Sequence, residues 1–379
     1  MRIALLLGSS AGGVGTHVAS LAREFGRTGQ PVTVIGPQAT DKQFGFSGTG
    51  GVEFIPLEVP TRLSLRDVSQ VQALRAVLVR ERFDIVHAHG FRAALLAVLA
   101  RRGPGPGRPT VIATWHNAVL AGGLRGKLEA GIELLLARTV DLTFGASQDL
   151  VDRARDLGAR NARLAPVAAP KMIDIDPSEV IAAHQRLLKE LGLPDSSKLV
   201  LTVGRVAPQK NYDLLLEAAR LWRSSHPDAV SIIAGGADQA ELARLRRIVD
   251  RDGLPVHFIG ARQDVSALYR SAEVFLLTSH WEARALVVQE AMSVGLPVIA
   301  RAVGGLPELI DDAGILVRSP RREEIADAVI SVLDDSALRG DLSARARRRA
   351  REFPDEAEVA AELLARYHAC RDRAACELG

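Results

Sequence analysis

Two glutamates separated by seven residues, Glu282 and Glu290, are the most informative chemical feature of the sequence. Glu282 precedes an apolar turn, and Glu290 lies in LVVQEAMSV (286–294), a pattern that predicts a helix ended by Gly295 and Pro297. Two carboxylates placed in this way on a strand–loop–helix unit can bind two parts of one elongated ligand. Between them, the free N–H groups of the helix N-terminus favour a phosphate. The spacing therefore predicts a site for a sugar nucleotide.

Two cations stand in a second segment, VGRVAPQKN (203–211), which follows a predicted strand and precedes a predicted helix. Arg205 presents a planar fork of donors and Lys210 a point charge. Together they can bind a diphosphate and neutralise it as it departs, which stabilises a leaving group. Taken alone, Arg205 and Lys210 have a plainer interpretation as two exposed surface cations. The presence of the glutamate pair favours binding of a diphosphate.

A glycine loop, GSSAGGVG (8–15), joins the first predicted strand to the first predicted helix. Glycines at this point let the backbone approach a phosphate or a sugar, and the helix N-terminus favours negative charge. A tight turn that binds no ligand is the alternative interpretation of this loop. The lysine of an ATP-binding P-loop is absent, so the sequence excludes an ATPase of that type.

Three histidines lie at the ends of predicted strands: His87, His89 and His116. We expect His116 to contact the ligand, with packing or supporting roles for His87 and His89. No carboxylate or cysteine joins them at ligand spacing, so a zinc site is not expected. The Asp174–Asp176 pair resembles a metal-binding motif but lies in a predicted linker, and we treat it as a coincidence.

Short apolar strands alternate with helical patterns along the whole sequence, which predicts α/β architecture with buried parallel sheets. The alternation restarts once, after the proline-rich segment 166–177, which is typical of an interdomain linker. We predict two doubly wound domains (1–170 and 171–354) facing a central cleft, and a final helix (355–379) that packs back on the first domain. The predicted strands are 2–7, 32–35, 52–57, 84–89, 110–115, 141–146, 198–204, 230–235, 256–260, 273–278, 297–300 and 314–317.

Length and composition restrict the class of protein to which the chain can belong. A chain of 379 residues exceeds the usual single core, in agreement with two domains. The net charge of +3 gives no general attraction to nucleic acid, and no apolar run approaches the ~18 residues of a membrane span. We therefore expect a cytoplasmic protein. The basic loop 101–108 and the apolar segment 120–139 with its scattered cations leave peripheral binding to an anionic membrane open.

Taken in order, these motifs resemble those of the retaining GT-B glycosyltransferases of the large E-x7-E family (glycosyl transferases group 1, family 4-like). The resemblance covers essentially the whole chain. It is carried by the glycine loop at 12–15, DIVHAHG (84–90), ATWH (113–116), VGRVAPQKN (203–211), FIGARQDV (258–265) and the glutamate motif.

The resemblance implies an acceptor-side first domain and a donor-binding second domain. Arg205 and Lys210 would bind the donor diphosphate, Glu282 the hydroxyls of the transferred sugar, and Glu290 the ribose. His116 would contact the sugar and stabilise an oxocarbenium-like state. The other positions implied for donor binding are Gly13, Gly260, Arg262, Val265, Leu286 and Val287.

The implied reaction moves a hexose-type sugar from a UDP-, GDP- or ADP-sugar to a hydroxyl of a glycan, a lipid or a small metabolite, with retention and without a metal. Acceptor contacts are expected in the loops 39–51 and 117–126. No nucleic-acid partner is expected. A sugar-nucleotide epimerase or hydrolase, and a non-catalytic sugar-nucleotide-binding protein, are the alternatives.

The turn after the first glutamate departs from the family pattern, which has glycine or proline where this chain has Ala283 and Ala285. A Cβ at Ala283 restricts positive φ and crowds the phosphate. Arg284, between them, is expected to replace some backbone contacts with charge.

Overall fold

A computed structural model describes residues 1–10, 12–59, 66–101, 108–117 and 123–376. Residue contacts divide the chain into two units, one formed by Met1–Pro170 with Pro354–Gly379 and the other by Lys171–Phe353. Five predicted features fall partly outside the described residues: the glycine loop at 11, the basic loop at 102–107, the acceptor loop at 118–122, the apolar segment at 120–122 and the final helix at 377–379.

The first unit is built on a parallel sheet with the strand order β3-β2-β1-β4-β5-β6-β7. All residues of β1 and β4 are buried, as expected for strands covered on both faces by helices. The strands are β1 (Ile3–Leu7), β2 (Val32–Gly36), β3 (Val52–Pro56), β4 (Ile85–His89), β5 (Thr110–Trp115), β6 (Leu142–Gly145) and β7 (Ala162–Leu164). The helices are α1 (Gly13–Arg27), α2 (Gln38–Phe44), α3 (Arg66–Glu81), α4 (Phe91–Ala100), α5 (Gly123–Thr139) and α6 (Gln148–Asp156).

The second unit repeats this arrangement with the order β10-β9-β8-β11-β12-β13, again with parallel pairing. Its strands are β8 (Lys198–Val203), β9 (Ala229–Ala234), β10 (Val256–Gly260), β11 (Val274–Leu277), β12 (Val298–Arg301) and β13 (Ile315–Val317). Its helices are α7 (Pro177–Leu191), α8 (Tyr212–Ser225), α9 (Gln239–Asp252), α10 (Val265–Ser271), α11 (Leu286–Ser293), α12 (Leu306–Ile310), α13 (Arg322–Asp334) and α14 (Ser336–Ala350).

The last helix, α15 (Glu356–Cys376), belongs to the first unit, where it packs against α1. Tyr367 of α15 is fully buried beside Phe25 of α1, with 6.2 Å between the ring centroids.

The two sheets confirm the predicted α/β architecture of two doubly wound sheets, and each predicted strand is present within two residues of its predicted bounds. In both sheets the chain first builds outward from one strand and then returns to its other side. The reversal makes β1 and β4 neighbours in one sheet and β8 and β11 neighbours in the other. Open α/β sheets bind ligands at the carboxyl ends of the strands at such a point.

One sequence-based expectation needs correction. The segment 39–51, expected to be a loop, is largely helical, because α2 runs to Phe44 and a 3-10 turn covers Phe46–Gly48. Asp176 of the predicted linker caps α7, since its carboxylate accepts from the backbone N–H of Ser178 at 2.8 Å. Among the helices of the described residues, none combines the length and the hydrophobicity that a membrane-spanning segment needs.

Candidate active site

The loops that follow β8 and β11 lie side by side because these strands are neighbours in the sheet. Hydrogen bonds join the two loops. The Thr278 hydroxyl donates to the carbonyl oxygens of Lys210 and Asn211, both at 3.1 Å. The Gln209 amide donates to the carbonyl oxygen of Trp281 at 3.0 Å. Asn211 adopts a left-handed φ of 52°, which turns the chain into α8. The two motifs found in the sequence thus form one structure.

A short ion pair lies at the centre of this structure. Lys210 Nζ is 2.6 Å from Glu282 Oε1, and the Ser279 hydroxyl donates to the same oxygen at 2.6 Å. Both charged side chains are largely enclosed, with 17% of Lys210 and 11% of Glu282 exposed. Paired and hydrogen-bonded in this way, the Glu282 carboxylate is held in a fixed orientation. Its other oxygen has lone pairs that can accept from ligand hydroxyls.

The backbone at Glu282 is held by the Gly304–Gly305 turn after β12. The Gly305 N–H donates to the carbonyl oxygen of Glu282 at 2.9 Å. Gly304 has a φ of 53°, and a Cβ on it would overlap that same carbonyl oxygen. This position therefore requires glycine for two reasons, the left-handed backbone and the close approach.

Glu290 lies in α11 and is mostly buried. The Tyr269 hydroxyl donates to Glu290 Oε2 at 2.8 Å and also lies 3.2 Å from the carbonyl oxygen of Val287. Burial raises the pKa of Glu290, and the bond from Tyr269 partly opposes that rise. Burial, with the Glu290 charge, raises the pKa of Tyr269 well above its usual value, so this hydroxyl stays protonated as a donor. The remaining lone pairs of Glu290 can accept from a pair of hydroxyls.

Arg205 and Arg262 differ in how far their charges are already paired. The Arg205 side chain is exposed, and it makes no ion pair with any described residue. The Arg262 guanidinium is bound to Asp264, with both contacts at 2.9 Å, and to Glu190 at 3.1 Å. Arg205 can thus meet an anion, whereas Arg262 offers a ligand mainly its main chain.

The turn after Glu282 does not use the backbone freedom of glycine. Among described non-glycine residues, positive φ occurs at Arg82, Asn211 and Asp311, so Ala283 and Ala285 both have ordinary backbone. Ala285 caps α11 with a φ of −75°, placing Leu286 and Val287 in the first turn of that helix.

The Arg284 side chain packs within this unit. Its guanidinium carbon lies 5.3 Å from the centroid of the Phe353 ring, and burial lowers its pKa.

In the first unit, Gly13 lies after the carboxyl end of β1 and His116 after that of β5, the two strands on either side of β4. Gly13 is the first residue of α1, where Ser10 Oγ accepts from the N–H of Gly15 at 2.9 Å. His116 directly follows β5, and its Nε2 lies 3.2 Å from Nδ1 of His89. Burial lowers the pKa of His116 to about 3, so the ring is neutral at physiological pH.

The structure brings Lys210 and Glu282 into contact. Glu290 lies in α11, the helix that begins four residues after Glu282. Three contributing residues were missed: Ser279 on Glu282, Tyr269 on Glu290, and His17, whose ring lies 6.0 Å from that of His116. A serine three residues before Glu282 was a signal, although a weak one. Within the described ranges, no group of three or more His, Cys, Asp or Glu side chains has the arrangement of a metal site.

Comparisons with known proteins cover both units of the chain. The family described as glycosyl transferases group 1 matches residues 184–349, and the glycosyl transferase 4-like domain matches 12–170. The chain is 30% identical to a D-inositol 3-phosphate glycosyltransferase of Xylanimonas cellulosilytica, over 94% of this chain and 91% of that protein. It is 26% identical to an Escherichia coli UDP-Gal:alpha-D-GlcNAc-diphosphoundecaprenol alpha-1,3-galactosyltransferase, over 75% of each.

A solved structure shares the fold. Anabaena HepE, crystallised with UDP-glucose, superposes with a TM-score of 0.80 at 20% identity, covering 96% of this chain and 100% of that one. At this identity the likeness concerns the fold, and it identifies the two doubly wound sheets as a GT-B arrangement.

Proposed function

The chain belongs to the glycosyl transferases group 1 family, and on that premise we propose that it moves a hexose-type sugar from a nucleoside-diphosphate sugar to a hydroxyl acceptor with retention. The observation that carries the proposal is the Lys210–Glu282 pair at 2.6 Å, with Glu290 in the helix that follows. In this proposal Lys210 binds the diphosphate of the donor, Glu282 binds the sugar and Glu290 binds the ribose.

We propose a UDP-sugar as the first donor to test, ahead of GDP- and ADP-sugars. The support is that HepE was crystallised with UDP-glucose and that the E. coli relative is named for UDP-Gal. Glu290 would accept from the ribose hydroxyls and Glu282 from the sugar hydroxyls. The main chain near Gly260 and Arg262, with Val265, would face the base.

In the proposed step, the bond between the anomeric carbon and the diphosphate oxygen breaks. The acceptor hydroxyl oxygen forms its bond to the same face of that carbon, and its proton passes to the departing phosphate oxygen. Arg205 and Lys210 would stabilise the charge that develops on the diphosphate. We propose that these two cations take the place of a metal ion, with His116 in contact with the transferred sugar and Gly13 offering its N–H.

The acceptor class is proposed more broadly: a glycan, a lipid-linked sugar or a small hydroxylated metabolite. Because relatives are named D-inositol 3-phosphate glycosyltransferase, we include a cyclitol phosphate among the acceptors to be tested.

We also propose a cytoplasmic protein that binds peripherally to anionic membranes. Its support is α5, where Leu128 (53% exposed) and Leu135 (41% exposed) lie on one face and the exposed cations Lys127 and Arg138 lie to one side of it.

The decisive experiment is nucleotide release from a panel of UDP-, GDP- and ADP-sugars, measured with and without each acceptor. Thermal shift with the free nucleotides first selects the base, because a bound ligand raises stability by mass action. Acceptor-dependent release supports transfer, and the anomeric coupling constant of the product tests retention. Equal release without acceptor would indicate a hydrolase or epimerase instead. Tight donor binding with no turnover across the panel would indicate a binding protein.

A further inference from the structure

Four histidine rings from three parts of the first unit form one cluster. His17 comes from α1, His87 and His89 from β4, and His116 from the residue after β5. The ring centroids of His87 and His89 are 4.2 Å apart, those of His89 and His116 5.5 Å, and those of His17 and His89 5.7 Å. His89 is therefore the central ring of the cluster.

The cluster is uncharged at physiological pH. Burial lowers the pKa of His17 to about 4 and that of His116 to about 3. Burial, with repulsion from the neighbouring rings, lowers the pKa of His87 and His89 well below the usual value. Each neutral ring has one N–H and one nitrogen lone pair, so the hydrogen bonds decide which nitrogen bears the proton.

The two nitrogens of His89 have different surroundings. Nδ1 lies 3.2 Å from Nε2 of His116, whereas Nε2 is buried and has no hydrogen-bond partner among the residues that the structure describes. If Nε2 carried the proton, a buried N–H would be left without an acceptor. If Nδ1 carries it, the N–H is satisfied by His116 and an unused lone pair remains. A buried N–H group without an acceptor is rarer than a buried lone pair without a donor, so the arrangement with the proton on Nδ1 of His89 is favoured.

We propose that His89 is a positioning residue whose Nδ1–H donates to Nε2 of His116 and thereby fixes the proton of His116 on Nδ1. His116 is then a hydrogen-bond donor at Nδ1. Its Nδ1 has no hydrogen bond to the described residues and its side chain is half-buried, so the donor remains available to a ligand oxygen. Resting on the proposed function, this makes His116 a donor to a substrate oxygen, and it leaves the departing phosphate oxygen to take the acceptor proton.

His87 keeps the strand that bears His89 in place. Its Nδ1 lies 2.6 Å from the Tyr367 hydroxyl of α15, and its Nε2 lies 2.6 Å from the Thr114 hydroxyl of β5. His89 itself is in register with Thr114 across the β4–β5 pairing. These contacts fix the backbone of His89 and His116 independently of the bond between their rings.

Two variants of similar size separate hydrogen bonding from packing. His89→Asn keeps an N–H donor near the position of Nδ1, whereas His89→Leu keeps the volume and removes the donor. We expect His89→Leu to lower kcat by about tenfold to a hundredfold, and His89→Asn to recover most of that loss. Circular dichroism shows whether both variants fold. Equal losses of kcat in two folded variants would overturn the proposal, since packing alone would then explain His89.

Nitrogen-15 NMR of the histidine side chains tests the same proposal without any activity measurement. In the wild-type protein we expect the proton of His116 on Nδ1, and in His89→Leu a mixture of the two tautomers. A wild-type His116 protonated on Nε2 would refute the arrangement. Absence of transfer with every sugar nucleotide would instead count against the proposed function, and the NMR result would still decide the tautomer.

Discussion

Lys210 Nζ lies 2.6 Å from Glu282 Oε1, although the two residues are 72 positions apart in the chain. The contact exists because β8 and β11 are neighbours at the reversal of the second sheet. Each charge is held by the other in a largely enclosed place, so the pair orients both groups before any ligand arrives. The arrangement is suited to a donor whose sugar and diphosphate lie next to each other.

Removing either member of this pair should abolish most of the activity. We expect Glu282→Ala and Lys210→Ala each to lower kcat about a hundredfold or more, because each loses a charge aimed at the transferring group. The matched control is Lys198→Ala, since Lys198 pairs with Asp228 at 3.2 Å, where both side chains are about one-third exposed. Steady-state kinetics with folded variants measures the effect. Full activity in both site variants would disprove the assignment of the site.

Binding of the nucleotide should depend on pH through Glu290. Burial raises the pKa of this carboxyl, and its protonated form is a poorer acceptor for ribose hydroxyls. The affinity for UDP should therefore rise as the pH increases through the raised pKa. Tyr269→Phe removes the bond that holds this pKa down, so the midpoint should move to higher pH. Isothermal titration with UDP from acidic to neutral pH measures both, and unchanged midpoints in Tyr269→Phe would contradict the role of Tyr269.

The same raised pKa has a consequence for stability with the opposite sign. Between the unfolded and folded pKa values of Glu290, the native state holds a proton that the unfolded state has lost. The contribution of this group to stability is therefore present at low pH and is lost as the pH rises through the folded pKa. Glu290→Gln should remove this dependence while weakening UDP binding. Urea unfolding at several pH values tests it, and an unaltered pH dependence in Glu290→Gln would exclude Glu290 as its source.

Gly304→Ala should damage the site through the backbone. The new Cβ would overlap the Glu282 carbonyl oxygen and lie 2.8 Å from Nε1 of Trp281, at a φ of 53° that alanine disfavours. We expect the free energy of unfolding to fall by more than about 1 kcal/mol and UDP-sugar affinity to fall with it. Gly340→Ala is the control, because α14 leaves open space there and alanine should raise stability by about 0.5–1 kcal/mol. Equal unfolding free energies for the two variants would rule this explanation out.

The fold was largely predictable because its central strands are buried on both faces and read as continuous apolar runs. β7 was missed for the opposite reason: Ala162–Leu164 is three residues long and carries the exposed Arg163 at its centre. The helices that were not predicted are α2, α7, α12 and α13. For α2 and α12, seven and five residues give too few turns for a periodic pattern.

The candidate site was predictable as a set of residue types and less so as a set of contacts. Glu282, Glu290, Arg205 and Lys210 stand in segments whose pattern carries the chemistry. The bond from Tyr269 to Glu290 depends on how α10 packs beside α11, which no local pattern contains. The His17 ring joins the cluster in the same way, through the placement of α1 against β4.

The sequence predicts that the Cβ of Ala283, the residue after Glu282, restricts positive φ and crowds the phosphate. Ala283 is 6% exposed and has no positive φ, so glycine would bring no conformational relief. We expect Ala283→Gly to lower the free energy of unfolding by about 1 kcal/mol, from greater freedom of the unfolded chain and a lost buried methyl group. UDP-sugar affinity should not improve. Ala285→Gly is the matched variant, with a smaller expected loss because glycine is a better N-cap than alanine. Tighter donor binding by Ala283→Gly, measured by isothermal titration, would instead show that this methyl group crowds the phosphate.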